Sequence, residues 1–112
     1  MIVRSVCPDL AGIVVIALGT NDCSSATFAR SAQRIANAAG NRPVVWVNTW
    51  RVGCDHLINP TIAAHGGAWV LDHHGWVAAN PRVLSRDGVH LTGGGYAEHA
   101  ERIATKVATG LG

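Results

Sequence analysis

The chain has 112 residues, of which 48% are hydrophobic and 14% are charged, and its formal net charge is +2. This composition predicts one globular domain over residues 1–112 and excludes an intrinsically disordered chain. The Lys and Arg residues are scattered, so no basic patch predicts nucleic-acid binding, and no apolar run approaches the roughly 20 residues that cross a bilayer. We also expect no signal peptide, because Asp9 interrupts the apolar stretch that follows Arg4.

Apolar and capping residues in the first half of the chain predict a strand, a helix and a second strand. The run from Ile13 to Leu18 is apolar throughout and rich in β-branched residues, which is typical of a strand buried in a parallel sheet. Ser24 supplies N-cap chemistry for a helix that Gly40 would end. The apolar run at 44–47 predicts the second strand.

The middle of the chain predicts a short helix, a third strand and one further helical turn. Asn59 and Pro60 favour an N-cap followed by proline at the first helical position, and this helix would end near His65. The apolar run at 68–71 predicts the third strand, and the residues at 76–79 predict a single helical turn.

A last helix is predicted from Thr92, as its cap, to Gly110. His99 lies off the predicted apolar face of this helix, and we expect it to be solvated. The apolar face consists of Ala100, Ile103, Ala104, Val107 and Ala108. Strands that alternate with helices in this order predict an α/β fold with a parallel sheet.

The residues Gly19-Thr20-Asn21-Asp22 follow the first predicted strand, at the end where parallel α/β sheets bind ligands. Gly19 allows a tight backbone, and the Asn21 side chain offers a neutral donor to a developing oxyanion, as acyl transfer requires. The alternative interpretation is a simple turn that ends a strand.

The residues Asp87-Gly88-Val89-His90 form the second segment that could carry chemistry. His90 could act as a general base, since the pKa of histidine lies near neutral pH, and Asp87 could hold its tautomer. The alternative interpretation is a polar turn that leads into a capped helix.

Taken together and in this order, the two segments resemble blocks of the SGNH (GDSL-like) hydrolase family. The residues at 15–22 look like the block with the oxyanion asparagine, and those at 87–92 look like the final block with the catalytic Asp and His. The middle of the chain resembles the SGNH domains attached to acyltransferase-3 membrane proteins, which resemble cell-wall O-acetyltransferases. This match rests on the residues at 47–51, Asn59, the residues at 70–72 and those at 80–81.

The resemblance implies a three-layer, flavodoxin-like α/β fold and a serine esterase or O-acyltransferase. It implies that the substrate is a small-molecule or glycan ester of a short acyl group, acetyl above all. It also implies that His90 and Asp87 are catalytic and that Asn21 and Gly19 form the oxyanion hole. No metal or organic cofactor is implied. The compartment stays open, and the resemblance is compatible with an extracytoplasmic one.

The chain departs from the family at the nucleophile. Family members begin with a strand that ends in Gly-Asp-Ser, whereas none of the serines of this chain, Ser5, Ser24, Ser25, Ser31 and Ser85, has that context. The resemblance is therefore to the C-terminal part of the domain, truncated on its N-terminal side. The alternative function is a non-catalytic remnant that binds a glycan or a partner chain; a nucleotide-binding domain is disfavoured because no G-x-G-x-x-G or Walker loop is present.

Without the family's first two strands, the strand from Ile13 to Leu18 would be an apolar edge. We expect this edge to favour self-association with a second chain.

Three further side-chain groups have predicted roles. Cys23 and Cys54 follow adjacent predicted strands, so they either form a disulfide in an oxidising compartment or remain small buried thiols. Trp50 lies past the end of the second strand and could line an acyl or sugar pocket. His73 and His74 have no further ligands at metal-binding spacing, so no metal site is predicted.

Overall fold

The computed structural model describes residues 12–17 and 23–110. Its strands are β1 (Val14–Ala17), β2 (Val44–Val47) and β3 (Val70–Leu71). Its helices are α1 (Ser25–Ala39), α2 (Asp55–Gly66), α3 (His73–Ala79) and α4 (Gly93–Gly110), with short 3₁₀ turns at Gly67–Trp69 and Pro81–Val83.

The strands form a parallel sheet in the order β1-β2-β3. Ile16 lies opposite Trp46 in the β1–β2 register, and Trp46 lies opposite Val70 in the β2–β3 register. The α/β class and the parallel sheet predicted from the sequence are therefore confirmed. Within the described residues β1 is an edge of this sheet, and β3 is shorter than predicted because residues 67–69 wind into a 3₁₀ turn.

The helices cover both faces of the sheet and produce three layers. On one face, Ile16 and Trp46 pack with Phe28 and Ile35 of α1 and with Ile58 of α2. On the other face, side chains of the central and third strands pack against Ile103 and Val107 of α4; these strand residues are Val45, Val47 and Leu71. The alternation of side chains along β2 thus separates two core clusters, and a third, smaller cluster consists of Val77, Val83 and Leu91.

Helix α1 begins and ends as the sequence predicts. The Ser24 hydroxyl accepts a hydrogen bond from the Thr27 amide at 3.3 Å, and so caps the first turn. Gly40 ends the helix with a φ of 63°, a left-handed backbone conformation that favours glycine.

The predicted start of α2 at Asn59 and Pro60 is wrong. The helix begins at Asp55, and Pro60 lies inside it on an exposed surface. The Asn59 side chain does not cap the helix, because it accepts from the Thr49 amide at 2.8 Å and donates to the Thr49 carbonyl at 2.9 Å. Asn59 therefore ties α2 to the segment that follows β2.

The predicted apolar face of α4 is wrong in part. Ile103 and Val107 are half-buried as expected, but the three alanines, Ala100, Ala104 and Ala108, are exposed. The helix instead presents His99, Arg102 and Lys106 to the fold. Lys106 donates to the Ala68 carbonyl at 2.9 Å, so long side chains cover the sheet while their polar ends find partners. Among the described residues, none of the helices is long and apolar enough to cross a bilayer.

Candidate functional site

A cleft of about 200 Å³ lies beside the carboxyl ends of β1 and β2. Ligands of parallel α/β proteins usually bind at this end of the sheet. Residues that line the cleft include Asn48, Thr49, Trp50, His73, His90, Tyr96 and His99.

His90, which lines the cleft, forms a pair with Asp87. The Nδ1 atom of His90 lies 2.5 Å from the Oδ2 atom of Asp87. The two side chains are 67% and 49% exposed, respectively, so the pair lies at the rim of the cleft and is open to solvent. The sequence therefore named two residues that the structure brings together.

A short hairpin loop holds this pair. Ser85 donates its amide to the His90 carbonyl at 2.8 Å, and the flanking residues Leu84 and Leu91 form an antiparallel bridge. Gly88 has a φ of 72°, so the tight turn requires a residue that tolerates left-handed backbone geometry. The loop thereby turns the chain back within a few residues and places Asp87 and His90 on the same side.

The Asp87 carboxylate accepts several hydrogen bonds within the loop. Its Oδ1 atom accepts from the Val89 amide and the His90 amide, each at 2.8 Å, and from the Ser85 hydroxyl at 2.9 Å. The bond from the His90 ring, followed by these donors, holds the pKa of Asp87 well below its usual range. Asp87 is therefore ionised at neutral pH and can only accept hydrogen bonds.

This assigns the tautomer of His90. Because Asp87 can only accept, the proton shared with it belongs to Nδ1 of His90. The lone pair of the neutral ring then lies on Nε2, which is the atom that a general base uses.

Trp50 connects the loop to the rest of the fold. Its indole Nε1 atom donates to the Gly88 carbonyl at 3.0 Å, and its ring lies 5.0 Å from the ring of His74. Nε2 of His74 lies 3.1 Å from the Oδ2 atom of Asp55. The sequence predicted Trp50 as a pocket residue; the structure places it at the cleft and also against the loop that carries Asp87 and His90.

Sequence reasoning did not single out Asn48 and Asp72 for the site. Asn48 lines the cleft, donates to Asp72 Oδ1 at 2.8 Å and accepts from the His74 amide at 2.7 Å. The bond from Asn48, with a second from the Gly75 amide, lowers the pKa of Asp72. A usable signal existed, because Asn48 and Asp72 each follow a strand directly, at the end of the sheet where ligands bind.

Two histidines, His73 and His99, also lie against each other in the cleft, with ring centroids 4.5 Å apart. Burial, followed by the nearby His99 and Arg102, lowers the pKa of His73 to about 4. The prediction that His99 is solvated was wrong, because it is half-buried against His73 and Trp76. Among the described residues no group of three or more His, Cys, Asp or Glu side chains could hold a metal ion.

The cysteines that follow the first two strands are joined. Cys23 and Cys54 form a disulfide, with Cα atoms 5.0 Å apart. This bond ties the start of α1 to the start of α2. The two residues expected to form the oxyanion hole, Gly19 and Asn21, lie outside the described residues.

None of the described serines directs its hydroxyl to His90; each has a structural position in the fold. Ser24 caps α1, Ser25 and Ser31 lie in α1, and Ser85 donates its hydroxyl to Asp87. The hydroxyl proton of Ser85 is thus directed to the carboxylate and not to Nε2 of His90.

No protein-family model, curated protein or solved structure matches the chain.

Proposed function

We propose that this chain is an SGNH-type serine esterase or O-acyltransferase in which Asp87 and His90 form the general-base pair. Its substrates would be esters of short acyl groups, with acetylated carbohydrate as the expected class. The observation that carries the proposal is the Asp87–His90 pair, which lies at the rim of a cleft at the carboxyl ends of the strands. The resemblance of the residues at 15–22 and 87–92 to SGNH blocks supports it.

In the proposed reaction, a serine hydroxyl attacks the ester carbonyl carbon, and Nε2 of His90 takes up the hydroxyl proton. Asp87 stays ionised and stabilises the imidazolium that forms. Asn21 and Gly19 would donate to the oxyanion of the tetrahedral intermediate. When the intermediate collapses, the proton of His90 passes to the departing alkoxide. The acyl group then moves to water in an esterase, or to an acceptor hydroxyl in an acyltransferase.

The cleft suits a sugar ester in one further respect. Trp50 and Tyr96 both line it, and Tyr96 is 49% exposed. The ring of Trp50 offers an apolar face for a sugar ring, and the hydroxyl of Tyr96 offers a donor for its hydroxyls.

A non-catalytic binding role is the alternative, and the described serines favour it. Ser24 is engaged as a helix cap and Ser85 is engaged with Asp87, so neither is poised against His90. A cleft with a base and no nucleophile would bind an acyl ester or glycan without turning it over.

Hydrolysis of p-nitrophenyl acetate by the purified chain separates the two functions. We expect saturable hydrolysis that falls to the background rate in His90→Ala, because Nε2 is the base. In Asp87→Asn, kcat should fall by roughly 10³- to 10⁴-fold, because an amide stabilises the wrong tautomer of the ring. His56→Ala is the matched control, since His56 is an exposed histidine of α2, and it should retain the full rate.

Equal, non-saturating rates in all four proteins would contradict the proposal, because free imidazole cleaves this activated ester slowly. Treatment with a fluorophosphonate probe gives an independent reading. An adduct that depends on His90 would identify the nucleophilic serine by peptide mass, and the absence of any adduct would favour the binding role.

A further inference from the structure

We propose that Trp50 is a positioning residue for His90, and that the Asp55–His74 pair braces it. The indole N–H of Trp50 holds the Gly88 carbonyl, and this bond aims the Asp87–His90 loop at the cleft. The catalytic consequence of this inference rests on the proposed function, whereas its structural part does not.

The base of the loop is fixed, because Val83 and Leu91 are buried in a small core cluster, but its tip needs an anchor of its own. Asp87 and His90 are largely exposed, and the bonds that Asp87 accepts all come from within the loop itself. Such bonds set the shape of the loop but do not set its direction relative to the sheet. The bond from Trp50 to Gly88 crosses 38 residues of sequence and joins the loop to the end of β2.

Trp50 is itself held in place by His74 and Asp55. The ring of His74 packs against the indole of Trp50 at 5.0 Å, and Nε2 of His74 lies 3.1 Å from the carboxylate of Asp55. The Asp55 side chain is only 14% exposed, and it also accepts from the Arg51 amide at 3.2 Å. The Asn48 side chain accepts from the His74 amide, so the brace is tied to α2, to α3 and to the end of β2.

The bond ends next to the functional pair. Gly88 is adjacent to Asp87 in the chain and lies two residues before His90, so a shift of the Gly88 carbonyl moves the imidazole. A displacement of about 1 Å at a reacting group can reduce a rate by about 100-fold. Loss of the indole N–H should therefore change the orientation and tautomer of the His90 ring and lower the catalytic rate, while the fold stays intact.

Trp50→Phe is the test, because it removes the N–H but keeps an aromatic ring against His74. Trp69→Phe is the matched control: Trp69 packs against a different core cluster from Trp50, and it does not line the cleft. His74→Ala is a second variant, which removes the brace and leaves the indole in place.

Three readouts distinguish positioning from simple destabilisation. Nitrogen NMR shifts of the His90 ring report the fraction of the Nδ1–H tautomer, which we expect to fall in Trp50→Phe. Hydrogen exchange at the Gly88 and His90 amides should accelerate about five- to tenfold, as for the loss of one hydrogen bond. For p-nitrophenyl acetate, kcat should fall about tenfold with KM unchanged, while Trp50→Phe and Trp69→Phe melt at similar temperatures. His74→Ala should shift all three readouts in the same direction.

An unchanged tautomer population and unchanged exchange in Trp50→Phe would overturn the inference, even if His90 proves to be catalytic. A shifted tautomer in a chain without saturable hydrolysis would sustain the positioning role and overturn the proposed function. The two failures are thus distinguishable.

Discussion

Asp87 illustrates how a single exposed carboxylate can have its protonation state set by its own loop. The amides of Val89 and His90, the Ser85 hydroxyl and the His90 ring all donate to it, and together they favour the ionised form. No buried charge is needed, so the pair can lie at the rim of the cleft. An ionised acceptor on one ring nitrogen leaves the other free to accept a proton.

Burial, in contrast, sets the protonation state of the His73–His99 pair. His73 and His99 face one another in the cleft, with the charged Arg102 and the residues Asp72 and His74 close by. Their Nδ1 atoms are buried and have no hydrogen-bond partner among the described residues. The neutral form of both rings is therefore favoured.

This arrangement predicts that acid destabilises the fold. The pKa of His73 is about 4 in the folded chain, against an ordinary value of 6.5. The unfolded chain takes up this proton near the ordinary value, whereas the folded chain resists it, so the free energy of unfolding falls as the pH drops through that interval. We expect a loss of about 1 to 2 kcal/mol, because remaining solvent contact screens the ring.

Urea unfolding of the chain and of His73→Gln, at pH values from about 7 down to about 4, measures this loss. The variant should show a shallower dependence on pH, though not a flat one, because burial lowers the pKa of His99 as well. His56→Gln is the control and should keep the dependence of the unmodified chain. An identical dependence in His73→Gln would refute the prediction.

At the scale of the elements, α2 shows how one polar side chain connects a helix to a strand end. Asn59 donates to and accepts from the backbone of Thr49, a residue that is only 4% exposed. Buried backbone groups are costly to leave without partners, so these two bonds hold the segment that leads from β2 to Trp50.

Asn59→Ala should lower the free energy of unfolding by about 2 kcal/mol, because it removes both bonds from a buried segment. Asn37→Ala on α1 is the matched control, since Asn37 is a helical asparagine whose side chain accepts a bond from the exposed Gln33. That control should change stability by about 0.5 kcal/mol or less. Equal losses in the two variants, measured by chemical denaturation, would show that Asn59 is not a tie between α2 and β2.

For the molecule as a whole, the disulfide between Cys23 and Cys54 compensates for a small core. The described residues form a three-stranded sheet with its helices, and a sheet of this size buries limited apolar area. The bond closes a loop with a sequence separation of 31 residues, and so restricts the unfolded chain.

Replacing both cysteines with alanine should destabilise the fold by about 3 to 4 kcal/mol, from the entropy of loop closure. The melting temperature should then fall by roughly 10 to 20 °C. Dithiothreitol should have a similar effect on the unmodified chain and none on the double variant. A thiol titration of the unfolded chain should find two more free thiols after reduction than before it. An equal number of free thiols before and after reduction, or an unchanged melting temperature, would contradict the prediction.

Local patterns predicted much of the fold. Apolar runs marked the three described strands, and Ser24, Gly40 and Thr92 marked helix ends. Strand burial and helix capping depend on residues close together in the sequence. The pairing of Asp87 with His90 belongs to this group, since three residues of tight turn suffice to bring them together.

The errors arose where a distant partner competed for a side chain. Asn59 has the sequence of a helix cap but bonds to Thr49, and His99 appeared solvated on a helical wheel but packs against His73. The bond from Trp50 to Gly88 likewise spans 38 residues. Patterns among neighbouring residues do not show which distant side chains will be in contact in the folded chain. Only the packing of α2, α3 and α4 around the sheet determined these contacts, because buried polar groups take whatever partners the assembled fold brings within reach.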